Sequence, residues 1–146
     1  MVHALEITHS LLEPDGFLLD IHPSSDPPPI EVRLGERTYL AGWLKEADDY
    51  IEYINADQAL QSVVERGLFT IENSGVFTFN TYAGSLEDLR NYLDEVWEDA
   101  QIEDQVAGRV EELWSSPIRD KEIILREVVR ISRLRPTGLR SESLSP

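Results

Sequence analysis

The sequence predicts an α+β fold: three to four helices and a mixed sheet of mainly antiparallel strands. Three observations carry that expectation. Leu86, Leu89, Tyr92, Leu93, Val96, Trp97 and Ala100 keep helical spacing over about four turns. Ile30-Glu31-Val32-Arg33-Leu34 alternates as a strand does, and Gly35-Glu36 suits a two-residue hairpin turn before Arg37–Leu44. Pro14-Asp15-Gly16 separates a helical run from the apolar run Phe17–Ile21, since proline presets one turn dihedral and glycine supplies a positive one. A hydrophobic content of 41% supports a folded chain.

Taken in order, Ala4, Leu5, Leu11 and Leu12 space an apolar helical face that Pro14 ends, because proline disfavours helix at the residue before it. Phe17 to His22 reads as a short apolar strand covered on both faces, stopped by Pro23, which lacks a ladder donor. Ser24 to Pro29 is a stiff, proline-rich connector. On the hairpin, Ile30, Val32 and Leu34 share one face, and Tyr39, Ala41 and Trp43 share one face of the return strand. Residues 45–54 fit either a strand or a helix start. Asn55 with Gln58 resembles a capping box, Ala59, Leu60, Val63 and Val64 form a stripe, and Gly67 suits the position after a helix end. Leu68 to Glu72 begins a strand, Asn73-Ser74-Gly75 predicts a turn, and Val76 to Tyr82 continues. Ser85 with Asp88 caps the next helix, and Ile102, Val106, Val110, Leu113 and Trp114 suggest another beside it. Residues 122–134 fit a strand or a helix by spacing; their Ile and Val content favours the strand. Residues 136–146 are Ser- and Pro-rich, an expected disordered tail after a single domain over 1–135.

Helix, Leu12-x-Pro14-x-Gly16 turn and strand Phe17–Ile21 together resemble the late part of class I S-adenosylmethionine-dependent methyltransferases. There a helix and a Leu-x-Pro-Gly-Gly-like turn lead into the fifth strand of a Rossmann-like sheet. Asp15 stands where that family more often has glycine. The ending Val128–Arg135 is similar to the family's terminal antiparallel strand, inserted between strands five and six. The resemblance implies a partial Rossmann-like sheet with an added hairpin. It covers the first 22 residues as a motif and much of the rest in element order. What it lacks is the cofactor half. The eight glycines are dispersed and no G-x-G occurs, whereas a nucleoside site of that type needs glycines for close backbone approach. No cofactor is therefore expected.

Formal charge is −15, which disfavours nucleic-acid phosphates as partners. It is uneven: residues 1–116 carry 6 basic and 24 acidic side chains, and residues 117–146 carry 7 and 4. The absence of cysteine excludes disulfides and thiol chemistry. With no basic n-region and no apolar run of membrane length, cytoplasmic residence and no membrane partner are expected.

Asp20 and His22 are the ligand-binding candidates. They sit at the C-terminal end of the predicted strand, the end that faces the crevice in open α/β sheets. His22 would serve as proton carrier or hydrogen-bond donor, against the plainer reading of a loop histidine at a strand exit. No catalytic constellation accompanies them, and no G-x-S-x-G elbow is present. His3, Glu6 and His9 share a helix face, but a di-iron arrangement needs a second such motif, so a solvated face is expected and no metal. His9 and Glu13 could pair one turn apart. Glu31, Glu36, Asp48, Asp49 and Glu52 match no calcium loop. Trp43, Trp97 and Trp114 read as core; exposed, they would mark an interface.

The functional expectation is a non-catalytic, methyltransferase-like interaction or assembly domain that forms a homodimer or meets another protein partner. One alternative is a small-ligand binder or enzyme with a pocket around His22. Another is a truncated piece of an S-adenosylmethionine-dependent methyltransferase.

Overall fold

The computed structural model describes residues 1–138. The elements run α1 (Val2–Leu11), β1 (Leu18–Pro23), β2 (Pro29–Leu34), β3 (Arg37–Trp43), β4 (Lys45–Glu46), α2 (Ile51–Glu65), β5 (Phe69–Ala83), α3 (Leu86–Val96), β6 (Ala100–Gln101), α4 (Asp104–Trp114) and β7 (Lys121–Pro136). With four helices and antiparallel pairings among the described residues, the fold is α+β. Residues 121–136 are strand rather than helix, as their composition favours. Part of the expected tail is ordered: the Thr137 N–H donates to the Leu68 carbonyl at 2.9 Å. The remainder, 139–146, lies outside the described residues.

The chain forms two compact units. Of the described residues, one holds Met1–Pro23, Glu52–Phe77 and 129–138; the other holds Ser24–Ile51 and Thr78–Val128. The long strands β5 and β7 pair with each other and each contributes to both units.

In the first unit, β1 runs antiparallel to the second half of β7, from Leu18 opposite Leu134 to Pro23 opposite Val129. Leu60, Val63, Phe69 and Leu134 are the buried core, packed by Val2, Leu5, Leu12, Leu18, Val64 and Leu68. The apolar face of α1 is thus Val2 and Leu5, continued by Leu12 just past its end, while Ala4 and Leu11 of the expected stripe are exposed. The Glu13–Gly16 turn forms, closed by Gly16 N–H to the Glu13 carbonyl at 2.9 Å. Gly16 occupies its last position, with φ not positive; a Cβ there would lie 3.0 Å from the Glu13 carbonyl, so close approach explains the glycine.

Two expectations change here. Strand β1 is not covered on both faces. Helices α1 and α2 pack on the Leu18 side, and Leu19 and Ile21 on the other side are 50% and 57% exposed. Antiparallel strands allow that, having no crossover helices to cover both faces. Asn73-Ser74-Gly75 does not turn: β5 continues through it. Pairing with the sixteen-residue β7 satisfies backbone groups that a turn would otherwise close.

Helix α2 starts at Ile51, before the expected capping box at Asn55. Its entry is set by a tight reversal with Asp49 at φ 53° and Tyr50 at φ 63°. Buried Tyr50 anchors that reversal, donating its hydroxyl to the Leu44 carbonyl at 2.8 Å. The far end is as expected. Gly67 has φ 71°, Leu68 N–H reaches the Val63 carbonyl and Gly67 N–H the Val64 carbonyl, the paired bonds of a Schellman close.

In the second unit, β2 pairs with β3 on one side and with the first half of β7 on the other. Gly35, at φ 60°, opens the two-residue turn, and Glu36 has no positive φ, the II′ pattern. Ile30, Val32 and Leu34 are buried as expected, with Leu44, Leu89, Leu93, Val106, Val110, Ile123 and Leu125. Ser85 caps α3, accepting from Asp88 N–H at 3.0 Å. On β3 the expected shared face breaks. A bulge puts Ile30 opposite Gly42 but Glu31 opposite Leu40, leaving Ala41 as the extra residue. Tyr39 and Trp43 consequently fall on opposite faces. Gly42 is required by contact: a Cβ there would meet Val106 Cγ2 at 2.5 Å.

Candidate functional site

Asp20 and His22 are two residues apart on β1, so their side chains leave the same face. The structure brings them together: His22 Nδ1 lies 2.6 Å from Asp20 Oδ2. Helix α2 supplies a third group, with His22 Nε2 2.9 Å from Asp57 Oδ1. Arg130, opposite His22 in the ladder, places its Nε 4.0 Å from the same Asp57 oxygen. The His22 side chain is 12% exposed and that of Asp57 33%. His22, Asp57, Arg130 and Ser132 line a cleft of about 450 Å³, with Gln61 and Glu65 of α2 beside them.

This geometry limits the chemistry. Both ring nitrogens lie at hydrogen-bond distance from a carboxylate, so the imidazole is engaged at both ends. Ser132 is buried opposite Asp20 but has no hydrogen bond to His22 among the described residues. What the trio does is tie β1 to α2. Asp57 is the residue the sequence reading missed. With α2 starting at Ile51, Asp57 stands in line with Leu60 and Val64, three and seven residues on. An acid in register with a core stripe signals a buried partner.

The remaining candidates have ordinary partners. His3 Nδ1 lies 3.6 Å from Glu6 Oε2. His9 takes the Thr137 carbonyl at 2.9 Å and packs edge-on to Phe69, not against Glu13. No group of three His, Cys, Asp or Glu suited to a metal ion occurs among the described residues. Glu31 receives Arg126 at 2.8 Å, and Asp48 accepts the Tyr50 N–H. Arg66 beside Glu6, and Arg135 with Arg133 beside Glu72, hold those carboxyls below the ordinary carboxylate value. Burial pushes the Glu127 carboxyl up. Trp97 and Trp114 pack on the core, the first donating its indole N–H to buried Glu46. Trp43 is 55% exposed.

The more conspicuous surfaces are apolar. In the first unit, Leu19 pairs with Arg133 and Ile21 with Ile131, so these four share the open face of β1. Arg133 lies over the Phe17 ring at 4.2 Å, and Phe17 is 46% exposed. In the second unit, a cleft of about 590 Å³ runs beside β3 and α4, with Leu40, Trp43 and Val106 among its walls. No helix among the described residues is long and apolar enough to cross a membrane. No protein-family model, curated protein or solved structure matches the chain.

Proposed function

We propose that this chain is a non-catalytic interaction module, methyltransferase-like in element order, that assembles with a second copy of itself through the open face of β1. The observation that carries the reading is the exposure of Leu19 and Ile21, continuous with Ile131 and Phe17. Contiguous apolar surface rimmed by charge marks an interaction site more often than a solvated face. Here Arg133 and Glu72, paired at 3.1 Å, supply the rim. A two-fold axis through such a face buries the same patch on both copies. The helix, turn and strand over Val2–Pro23, and β7 lying antiparallel to β1, support the methyltransferase-like element order. The engaged ring of His22 supports a non-catalytic role.

Light scattering at micromolar concentration tests the assembly. A dimer that Ile21→Asp converts to monomer is expected; a monomer in the parent chain sinks the proposal. Titration with S-adenosylmethionine is expected to produce no heat, and measurable binding would overturn the non-catalytic reading. The cleft beside His22 favours a second reading, a small-ligand binder. A thermal-shift screen supports it only if a metabolite stabilises the parent and not His22→Ala.

A further inference from the structure

The geometry points to β3 and α4 as a groove that takes an extended basic peptide by strand addition. Strand β3 ends its sheet: it pairs with β2, and residues 37–43 have no other backbone–backbone hydrogen bond among the described residues. Leu34 and Arg37 flank the two-residue turn and form its hydrogen-bonded pair. Alternation along an antiparallel ladder then directs the N–H and C=O of Thr38 and Leu40 away from β2, to the open edge. The cleft follows that edge. Four consecutive residues, Leu40 to Trp43, line it; their ladder partners put Leu40 and Trp43 on one face of the strand and Gly42 on the other, so the cleft meets both faces at the edge. Its other wall is α4, through Gln105, Arg109 and Glu112. An edge strand beside a helix is a geometry in which backbone bonds supply affinity and alternate side chains supply choice.

Charge selects the occupant. This unit carries 19 acidic and 8 basic side chains, a net of −11. Glu103 and Glu112 stand in the groove wall; each has one cation, Lys45 at 3.5 Å and Arg109 at 2.6 Å. A second copy would bring the same negative field to the same edge, whereas a peptide alternating apolar and basic side chains places the former beside Leu40 and Trp43 on one face and the latter on the α4 side, toward the carboxylates. This proposal is independent of the β1 interface: it uses a different strand and unit.

The test is titration of the full chain with a synthetic peptide of roughly six residues alternating valine and lysine, followed by tryptophan fluorescence. Saturable binding that shifts Trp43 emission and weakens with salt is expected. Thr38→Pro removes one outward N–H without touching the β2 ladder and should weaken binding at least about tenfold. Glu103→Lys with Glu112→Lys should weaken it similarly, and the valine–glutamate peptide should not bind. Absence of saturable binding overturns the proposal. So does binding that survives both Thr38→Pro and N-methylation of the peptide backbone, which would be adhesion to the acidic surface. A dimer that Thr38→Pro dissociates would make the occupant a second copy and overturn it too. Loss of the dimer in Ile21→Asp with peptide binding intact leaves it standing.

Discussion

Gly42→Ala is the sharpest test of how the second unit is packed. Gly42 does not have a positive φ among the residues described, so its backbone suits alanine. On backbone grounds alone the substitution would gain about 0.4–1 kcal/mol by restricting the unfolded chain. The contact reverses the sign. The added Cβ would sit 2.5 Å from Val106 Cγ2 and 3.0 Å from Cγ1, well inside the ~3.5–4.0 Å optimum for carbon atoms. Val106 cannot swing away cheaply, because a β-branched side chain in a helix has one preferred rotamer. Helix α4 must therefore shift from β3, at the roughly 1–3 kcal/mol typical of overpacking. Val106→Ala alone should cost about 2 kcal/mol from two lost methyl groups. The double variant should be less destabilised than the sum of the singles, by about 1 kcal/mol or more, since contacting residues couple. Urea unfolding followed by tryptophan fluorescence reads this unit specifically, because Trp43, Trp97 and Trp114 all lie in it. A neutral or stabilising Gly42→Ala, or strict additivity in the double variant, would refute the close approach of α4 and β3.

Other outcomes follow from the same structure. Asp57→Ala should destabilise the first unit by about 1–2 kcal/mol, the low end for a charged hydrogen bond because the carboxylate is partly exposed; a thermal midpoint equal to the parent's would contradict the tie between β1 and α2. Glu127→Gln should raise the thermal midpoint at neutral pH. A carboxyl raised by burial stabilises the fold only while protonated, and that contribution is lost as pH rises through its folded value. The gain should therefore vanish in acid; a gain that persists there would refute the burial argument. Glu72 works the other way: held low by Arg135, it adds stability above its ordinary value of 4.5 that is lost as pH falls. Glu72→Gln should accordingly flatten the acid side of the stability–pH curve. Asp49→Gly should stabilise by roughly 0.5–1 kcal/mol, because glycine takes φ 53° without strain; calorimetry showing a loss would contradict that backbone.

Local chemistry determined the punctuation of this chain. Gly35 at the hairpin turn, Gly67 after α2, Ser85 at the start of α3 and the Pro14 turn all act within a few residues, so their effect is readable from neighbours. The α+β class, the Ile30–Val32–Leu34 face and the apolar stripe of α3 were legible for the same reason, since period and burial coincide there. Of the candidate site, Asp20 and His22 could be named, because a shared strand face needs only their spacing. Asp57 could not, being 35 residues from His22 and on a helix whose start the spacing of residues 45–54 left open between strand and helix. Tertiary structure alone decided three things. Pairing with a long β7 turned Asn73-Ser74-Gly75 from a turn into strand. One inserted residue, Ala41, moved Trp43 off the face that spacing assigned it. The absence of any helix over Leu19 and Ile21 among the described residues left an apolar strand open on one side. In each case the deciding partner is distant in the chain, and no local window contains it.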